Sequence, residues 1–133
     1  MASRDLKNDI KIVNALNIAS ITTNTTTVGV EVDTLGFESV TIEVIVGART
    51  DGTVTPLLQE TDVEGSYSGS VADEDLIGLE ADAALSLLNT RSRFGYIGKK
   101  RYVRLSLVST SVTTGLTAGG SVILGNPKSA PVA

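Results

Sequence analysis

The side chains that could do chemistry in this chain are carboxylates, lysines and tyrosines, because it contains no His and no Cys. That removes the thiol nucleophile and thiolate metal site, and with His the commonest general base and transition-metal ligand. Carboxylates concentrate in one mid-chain block: Glu60, Asp62, Glu64, Asp73, Glu74, Asp75, Glu80 and Asp82. Oxygen ligands at that density suit a hard cation such as calcium, but the spacing of an EF-hand loop is absent, and a solvated acidic loop is the simpler expectation. A glycosidase needs two carboxylates at fixed separation across a sugar cleft. The only aromatics are Phe37, Phe94, Tyr67, Tyr96 and Tyr102, which leaves little to stack on a sugar ring. Gly65-Ser66-Tyr67-Ser68-Gly69 lacks the Lys-Ser/Thr ending of a phosphate-binding loop. Together with Ala118-Gly119-Gly120 it reads as turn glycine. No lysine is marked as buried for Schiff-base chemistry, and no catalytic constellation emerges.

The next block is basic: Arg91, Arg93, Lys99, Lys100, Arg101 and Arg104. With Phe94, Tyr96 and Tyr102 interleaved it has the outline of a single-strand nucleic-acid surface, where bases stack on aromatics and phosphates meet cations. Alternation places Tyr102 and Arg104 on one face but Lys99 and Lys100 in a turn, and the net charge is −4. Nucleic acid is therefore not the expected partner. Segregated charge suits two patches for oriented docking on a protein, or solvated loops with bases protecting strand edges.

At 133 residues the chain fits one domain, able to bury roughly two-thirds of its unfolded surface. The apolar fraction is 41%, carried by Val, Ile, Leu and Ala, and the abundance of Thr, Ser, Val and Gly favours strands and turns. The start, Met1-Ala2-Ser3-Arg4-Asp5-Leu6-Lys7, has no signal-peptide core, and no apolar run reaches bilayer length. Cytoplasmic synthesis, with assembly into a virus there, fits.

The clearest strand is Glu38 to Val46, with Val40, Ile42, Val44 and Val46 on one face and Ser39, Thr41 and Glu43 on the other. Ile45 interrupts the polar face, so part of it is expected to be covered. Thr27 to Val32 reads as a strand, and Asp51-Gly52 as a hairpin turn into Thr53 to Thr61, where Pro56 requires an edge or bulge. Residues up to about 20 are open between strand and weak helix. Asp62 to Asp82 is a long surface connection with one helical turn capped by Asp73. Ala83 to Asn89 and Phe94 to Ile97 are short strand candidates. Arg101 to Ser109 and Leu116 to Leu124 are expected to pair as an antiparallel hairpin. Seven or eight short strands with turn signals predict an all-β, antiparallel β-sandwich or jelly-roll-like barrel.

Four segments carry a family resemblance: Asp5-Leu6-Lys7-Asn8-Asp9-Ile10-Lys11, Gly36-Phe37-Glu38-Ser39-Val40, Gly98-Lys99-Lys100-Arg101-Tyr102-Val103-Arg104 and Leu124-Gly125-Asn126-Pro127-Lys128-Ser129-Ala130-Pro131-Val132. In this order they resemble small structural proteins of tailed bacteriophages, nearest the capsid cement (decoration) proteins of podoviruses of the Bordetella-phage kind. The resemblance implies a jelly-roll sandwich, no catalytic residues and no cofactor. It also implies a homo-oligomer, a dimer before a trimer, bound outside an icosahedral shell across neighbouring major capsid protein subunits. The expected location is the virion surface after assembly in the bacterial host cytoplasm, with no nucleic acid or membrane as partner. The expected organisation is a single β domain with an N-terminal arm over about residues 1–20 and an extended tail over about residues 125–133. Expected contacts are Arg4, Lys7 and Lys11 in the arm, Lys99, Lys100, Arg101 and Arg104 in the basic strand and its turn, and Asn126, Pro127, Lys128, Pro131 and Val132 in the tail. The rival readings are a head–tail joining or tail component, which would form rings, and a sandwich module that binds a receptor or glycan.

Overall fold

A computed structural model describes residues 6–67 and 70–128. Its strands are β1 (Lys11–Ile21), β2 (Thr26–Asp33), β3 (Phe37–Arg49), β4 (Thr53–Thr61), β5 (Leu76–Ile77), β6 (Thr90–Tyr96), β7 (Tyr102–Thr110) and β8 (Leu116–Pro127). They form two antiparallel sheets, one ordered β1-β8-β3-β6-β5 and the other β2-β7-β4. The chain passes back and forth between the sheets, so most ladders join strands distant in sequence. This is the jelly-roll arrangement.

Alternation decides which side chains are inside. Val40, Ile42, Val44 and Val46 of β3 are buried against Val103, Leu105 and Leu107 of β7, with Val122 and Leu124 of β8 completing the layer. Opposite them the outer face of β3, including Ile45, is half-buried, as expected. Gly29 of β2 leaves no room for a side chain between β1 of the other sheet and β7 beside it. A Cβ there would lie 2.2 Å from the Ala15 carbonyl oxygen and 2.3 Å from that of Leu105.

Pro56 lies in β4, an edge strand of the smaller sheet, where a missing N–H removes no ladder bond. Among the described residues no further strand covers that edge. Val54 instead exchanges bonds with Leu85 (Val54 N to Leu85 O 3.0 Å, Leu85 N to Val54 O 2.8 Å), and the Leu58 carbonyl accepts from Val71 N at 2.8 Å. The Leu58 N–H donates to the Glu80 carboxylate.

Several expectations are corrected. Asp51-Gly52 is not a hairpin turn, because β3 and β4 lie in different sheets. It is a corner across the sandwich: Gly52 has φ +101°, and the Asp51 carboxylate accepts N–H groups of Thr113 (3.0 Å) and Gly115 (2.9 Å), and of Thr114. Nor do β7 and β8 form a hairpin; β7 pairs with β2 and β4, β8 with β1 and β3. Alternation marks a strand but not its partner. Gly119 and Gly120 are not turn glycines but mid-strand residues of β8. Ala83 to Asn89 is not a strand: a 3-10 turn (Ala81–Ala83) leads to the single bridge at Leu85. Asp73 lies inside another 3-10 turn (Asp73–Asp75), preceded by Ala72 with no side-chain cap. The open N-terminal stretch is a strand from Lys11, with bulges between Asn14 and Leu16 and between Leu16 and Ala19 that blur its period.

Candidate docking surface

The ladder registers bring five chain segments to one end of the sandwich. Lys11 opens β1 opposite Leu124, Phe37 opens β3 opposite Pro127, and Tyr102 opens β7 between Asp33 and Thr61. Tyr96 ends β6 opposite Val40. The first described residues, the 34–36 turn, the 97–101 turn and the end of β8 are therefore neighbours. Lys7, Lys11, Lys99, Lys100, Arg101, Asn126, Pro127 and Lys128 all belong to this end. Arg4, Pro131 and Val132 lie outside the described residues.

Two of the cations are engaged within the fold. Arg101 clamps Asp33 with two bonds (Nε to Oδ1 2.9 Å, Nη2 to Oδ2 2.8 Å). That contact, with the Leu35 N–H behind it, holds the Asp33 carboxyl below its usual range despite some desolvation. Lys100 Nζ stands 3.3 Å from Asp62 Oδ2, and Arg101 N donates to Asp62 Oδ1 at 3.1 Å. These bonds lower the Asp62 pKa, the backbone N–H most. Thr34 N and Oγ1 both donate to the Arg101 carbonyl, at 2.9 and 2.6 Å. The Tyr96 hydroxyl donates to Glu60 and accepts from Lys100 N at 3.2 Å. Burial and the Glu60 carboxylate push the tyrosine's pKa up. The charge blocks thus close in part on each other, and what these exposed contacts chiefly do is fix the 97–101 backbone.

Arg104 is elsewhere, on the outer face of the smaller sheet. It donates from Nε to Gln59 Oε1 at 3.1 Å, and its guanidinium lies 4.3 Å from the centre of the Tyr67 ring. The Tyr67 hydroxyl and Gly65 N both donate to Glu31 at 2.8 Å, so this cluster pins the acidic connection to the sheet. Phe94 and Tyr96, which seemed to interleave with the bases, are 2% and 4% exposed and face the core. They offer no stacking platform. Among the described residues no three acidic side chains converge closely enough to hold a metal ion.

Lys7, Lys11, Lys99, Lys128 and Arg93 have no ion-pair partner among the described residues. Lys99 and Lys128 flank a cleft of about 530 Å³ with Leu35, Phe37 and Ile97. It adjoins one of about 350 Å³ that includes Thr41, Ile77, Arg93 and Gly95. A third, with Leu6, Asp9, Ile10, Ser39 and Gly125, lies toward β1 and carries acids without a cation. Glu38 borders all three. The three clefts meet at the basic end of the sandwich. Sequence reading found the lysines but missed Glu38, Leu35, Ile77 and Ile97. Their exposure follows from register, which alternation alone does not fix; the one available signal was Ile97 standing against the Gly98-Lys99-Lys100 turn.

Two facing antiparallel sheets in this strand order define a jelly-roll β-sandwich, an architecture found in viral capsid and lectin domains alike. No protein-family model and no curated protein sequence matches the chain. Among solved structures, the PBSX exported protein XepA is similar over 94% of this chain and 39% of its own, at 16% identity and TM-score 0.54. A chain of the T13 IBDV viral particle is similar over 90% of this chain and 32% of its own, at 13% identity and TM-score 0.52. The SPBc2 prophage-derived protein YomS aligns over 86% of this chain and 93% of its own, at 18% identity and TM-score 0.46. The chain spans less than half the length of either of the first two, and what it shares with them is the fold.

Proposed function

We propose that this protein is a structural component of a phage virion, a cement or decoration protein that binds the outside of the capsid shell and stabilises the lattice of the major capsid protein. The observation that carries the reading is the convergence, at one end of the sandwich, of both ends of the described chain and of Lys7, Lys11, Lys99 and Lys128, which have no ion-pair partner among the described residues. A rigid sandwich that presents its cations and chain ends together is suited to oriented docking on a larger surface. Two supports stand beside it: the resemblance of four sequence segments to phage cement proteins, and a fold shared with a chain of a viral particle.

The mechanism is mass action. A protein that binds the assembled lattice and not free subunits stabilises assembly by about 2.7 kcal/mol per site when its concentration is a hundredfold above Kd. Repetition over a symmetric shell multiplies that modest term.

Co-sedimentation of the purified protein with expanded shells of the phage that encodes it tests the reading. Saturable binding at a fixed ratio per capsid subunit, absent with unassembled subunits, is the expected result. No binding, or binding confined to one vertex, overturns it.

A further inference from the structure

We propose that residues 70–89 form a strap that opens as a unit while the rest of the sandwich stays folded, and that the strap's own carboxylates set how readily it opens.

The strap is tied to both sheets. On β4 it supplies the reciprocal Val54–Leu85 bonds, the Val71 N–H for the Leu58 carbonyl and the Glu80 carboxylate for the Leu58 N–H. On the larger sheet β5, which lies within the strap, pairs with β6. The Asp75 carbonyl accepts the Ile97 N–H at 2.8 Å, and the Ala83 carbonyl accepts the Ser92 hydroxyl at 2.6 Å. Between these ties the strap buries only Val71, Leu76 and Ala83, whereas Ile77, Leu79, Leu87 and Leu88 stand exposed. A segment with few bonds and little buried apolar surface belongs to the low end of local stability. Its ties alternate between the sheets along one short run of backbone, so they are lost together.

Charge works against closure. The strap carries Asp73, Glu74, Asp75, Glu80 and Asp82 and no Lys or Arg, and none of these acids has an ion-pair partner among the described residues. The charged groups of the neighbouring strands do not compensate. On β4 Glu60 accepts from the Tyr96 hydroxyl, on β6 Arg91 stands 3.7 Å from Glu43 of β3, and Arg49 of β3 donates to the Gly52 carbonyl. Arg93 of β6 reaches no carboxylate within ion-pair distance among the described residues. Glu80 is half-buried; burial disfavours its charge, the Leu58 N–H opposes that, and Asp73 adds to the penalty. Opening returns this carboxylate to water and spreads the acids apart. Acid and salt therefore hold the strap closed, and neutral pH with low ionic strength loosens it. The open form lays bare the backbone groups of Val54 and Leu58, so an edge that is shut at rest becomes able to accept a strand.

The test is amide hydrogen exchange of the full chain, followed by NMR and corrected for the intrinsic rate at each pH. Val54, Leu58, Val71, Leu85 and Ile97 donate the backbone bonds that join strap and sheets. Their opening constants are expected to agree with one another and to exceed those of amides in the middle of β3 and β8 by about tenfold or more. At neutral pH they should fall about threefold or more as salt rises. Asp73→Asn/Asp82→Asn, at two exposed positions, should lower them likewise, and so should Glu80→Gln, which keeps an acceptor for Leu58. The differences should close near pH 4, where the carboxylates are about half protonated. Strap amides as slow as those of β3 and β8, or unrelated constants among the five, would overturn the opening unit. Constants indifferent to salt and to both variants would overturn the role of the carboxylates.

Discussion

The Glu80 carboxylate accepts the backbone N–H of Leu58 on the open edge of β4, where a fourth strand of the smaller sheet would otherwise supply the acceptor. A side chain stands in for a strand. The substitution is local, because Pro56 has no N–H to satisfy and Val54 and the Leu58 carbonyl are met by Leu85 and Val71. An edge closed in this way is poorly suited to pairing with another chain.

Glu80 makes stability depend on pH in an unusual direction for an acid. Burial raises its pKa, the Leu58 N–H opposes that, and repulsion from Asp73 adds to the rise. A raised folded-state value means its contribution is fully present below the ordinary Glu pKa of about 4.3 and is lost as pH rises through the folded value. Glu80→Gln keeps an acceptor for Leu58 and removes the charge. Its melting temperature should match the unaltered protein near pH 4 and exceed it at pH 7. Glu80→Ala leaves the N–H of a fully buried Leu58 without a partner and should cost about 1–3 kcal/mol at both pH values. Thermal melts at the two pH values decide; a Gln variant less stable at pH 7 would show that the carboxylate's charge is needed.

The Asp33–Arg101 clamp should contribute less than its geometry suggests. Both side chains are 44% exposed, so solvent screens the pair, and a double-mutant cycle with Asp33→Asn and Arg101→Met should give a small coupling that shrinks in high salt. The larger effect is expected in the 97–101 turn, where faster amide exchange at Arg101 would report loss of the anchor. A coupling that persists undiminished in high salt would mean the pair is far less screened than its exposure implies.

Gly29 sits against the backbone of β1 in the other sheet and of β7 beside it, and alanine there has no room. Its Cβ would fall 2.2 and 2.3 Å from two backbone oxygens, which no rotamer change relieves. Gly29→Ala should destabilise by about 3 kcal/mol or more, measured by urea unfolding. A change under about 1 kcal/mol would show that β2 can slide away from β1 at little cost.

The strands of the core were legible because apolar residues recur at every second position, Val40 to Val46 in β3 and Val103, Leu105 and Leu107 in β7, although Ser106 between the last two is buried as well. The bulges in β1 hid it, since each shifts the inward face by one residue. Partners were not legible at all. Asp51-Gly52 has the chemistry of a hairpin turn, yet nothing local to it says that Asp51 will bind Thr113, Thr114 and Gly115. The basic residues of the candidate site were visible as a run. Their sorting into engaged (Lys100, Arg101) and unpaired (Lys99, Lys128) depended on Asp62 and Asp33, brought in by other strands.

That distant bond gives the last prediction. The Asp51 carboxylate is the acceptor for consecutive backbone N–H groups of the β7–β8 connection, and those bonds, Thr113 first, then Thr114, with Gly115 also contributing, hold its pKa below the ordinary value. A lowered folded-state value contributes stability above the ordinary Asp pKa of about 3.9, lost as pH falls through the folded value. Asp51→Asn offers one neutral oxygen where the native residue offers two charged ones. It should melt below the unaltered protein at pH 7, with the difference closing as pH drops toward 2. Because the bonds join the corner between β3 and β4 to the crossover between β7 and β8, the amides of Thr113 to Gly115 should exchange faster in the variant at pH 7. Equal melting temperatures at neutral pH, with exchange unchanged, would mean that the corner is held by the backbone bonds of Thr50 and Asp51 to the Gly115 carbonyl and by the Arg49 bond to the Gly52 carbonyl, without the Asp51 carboxylate.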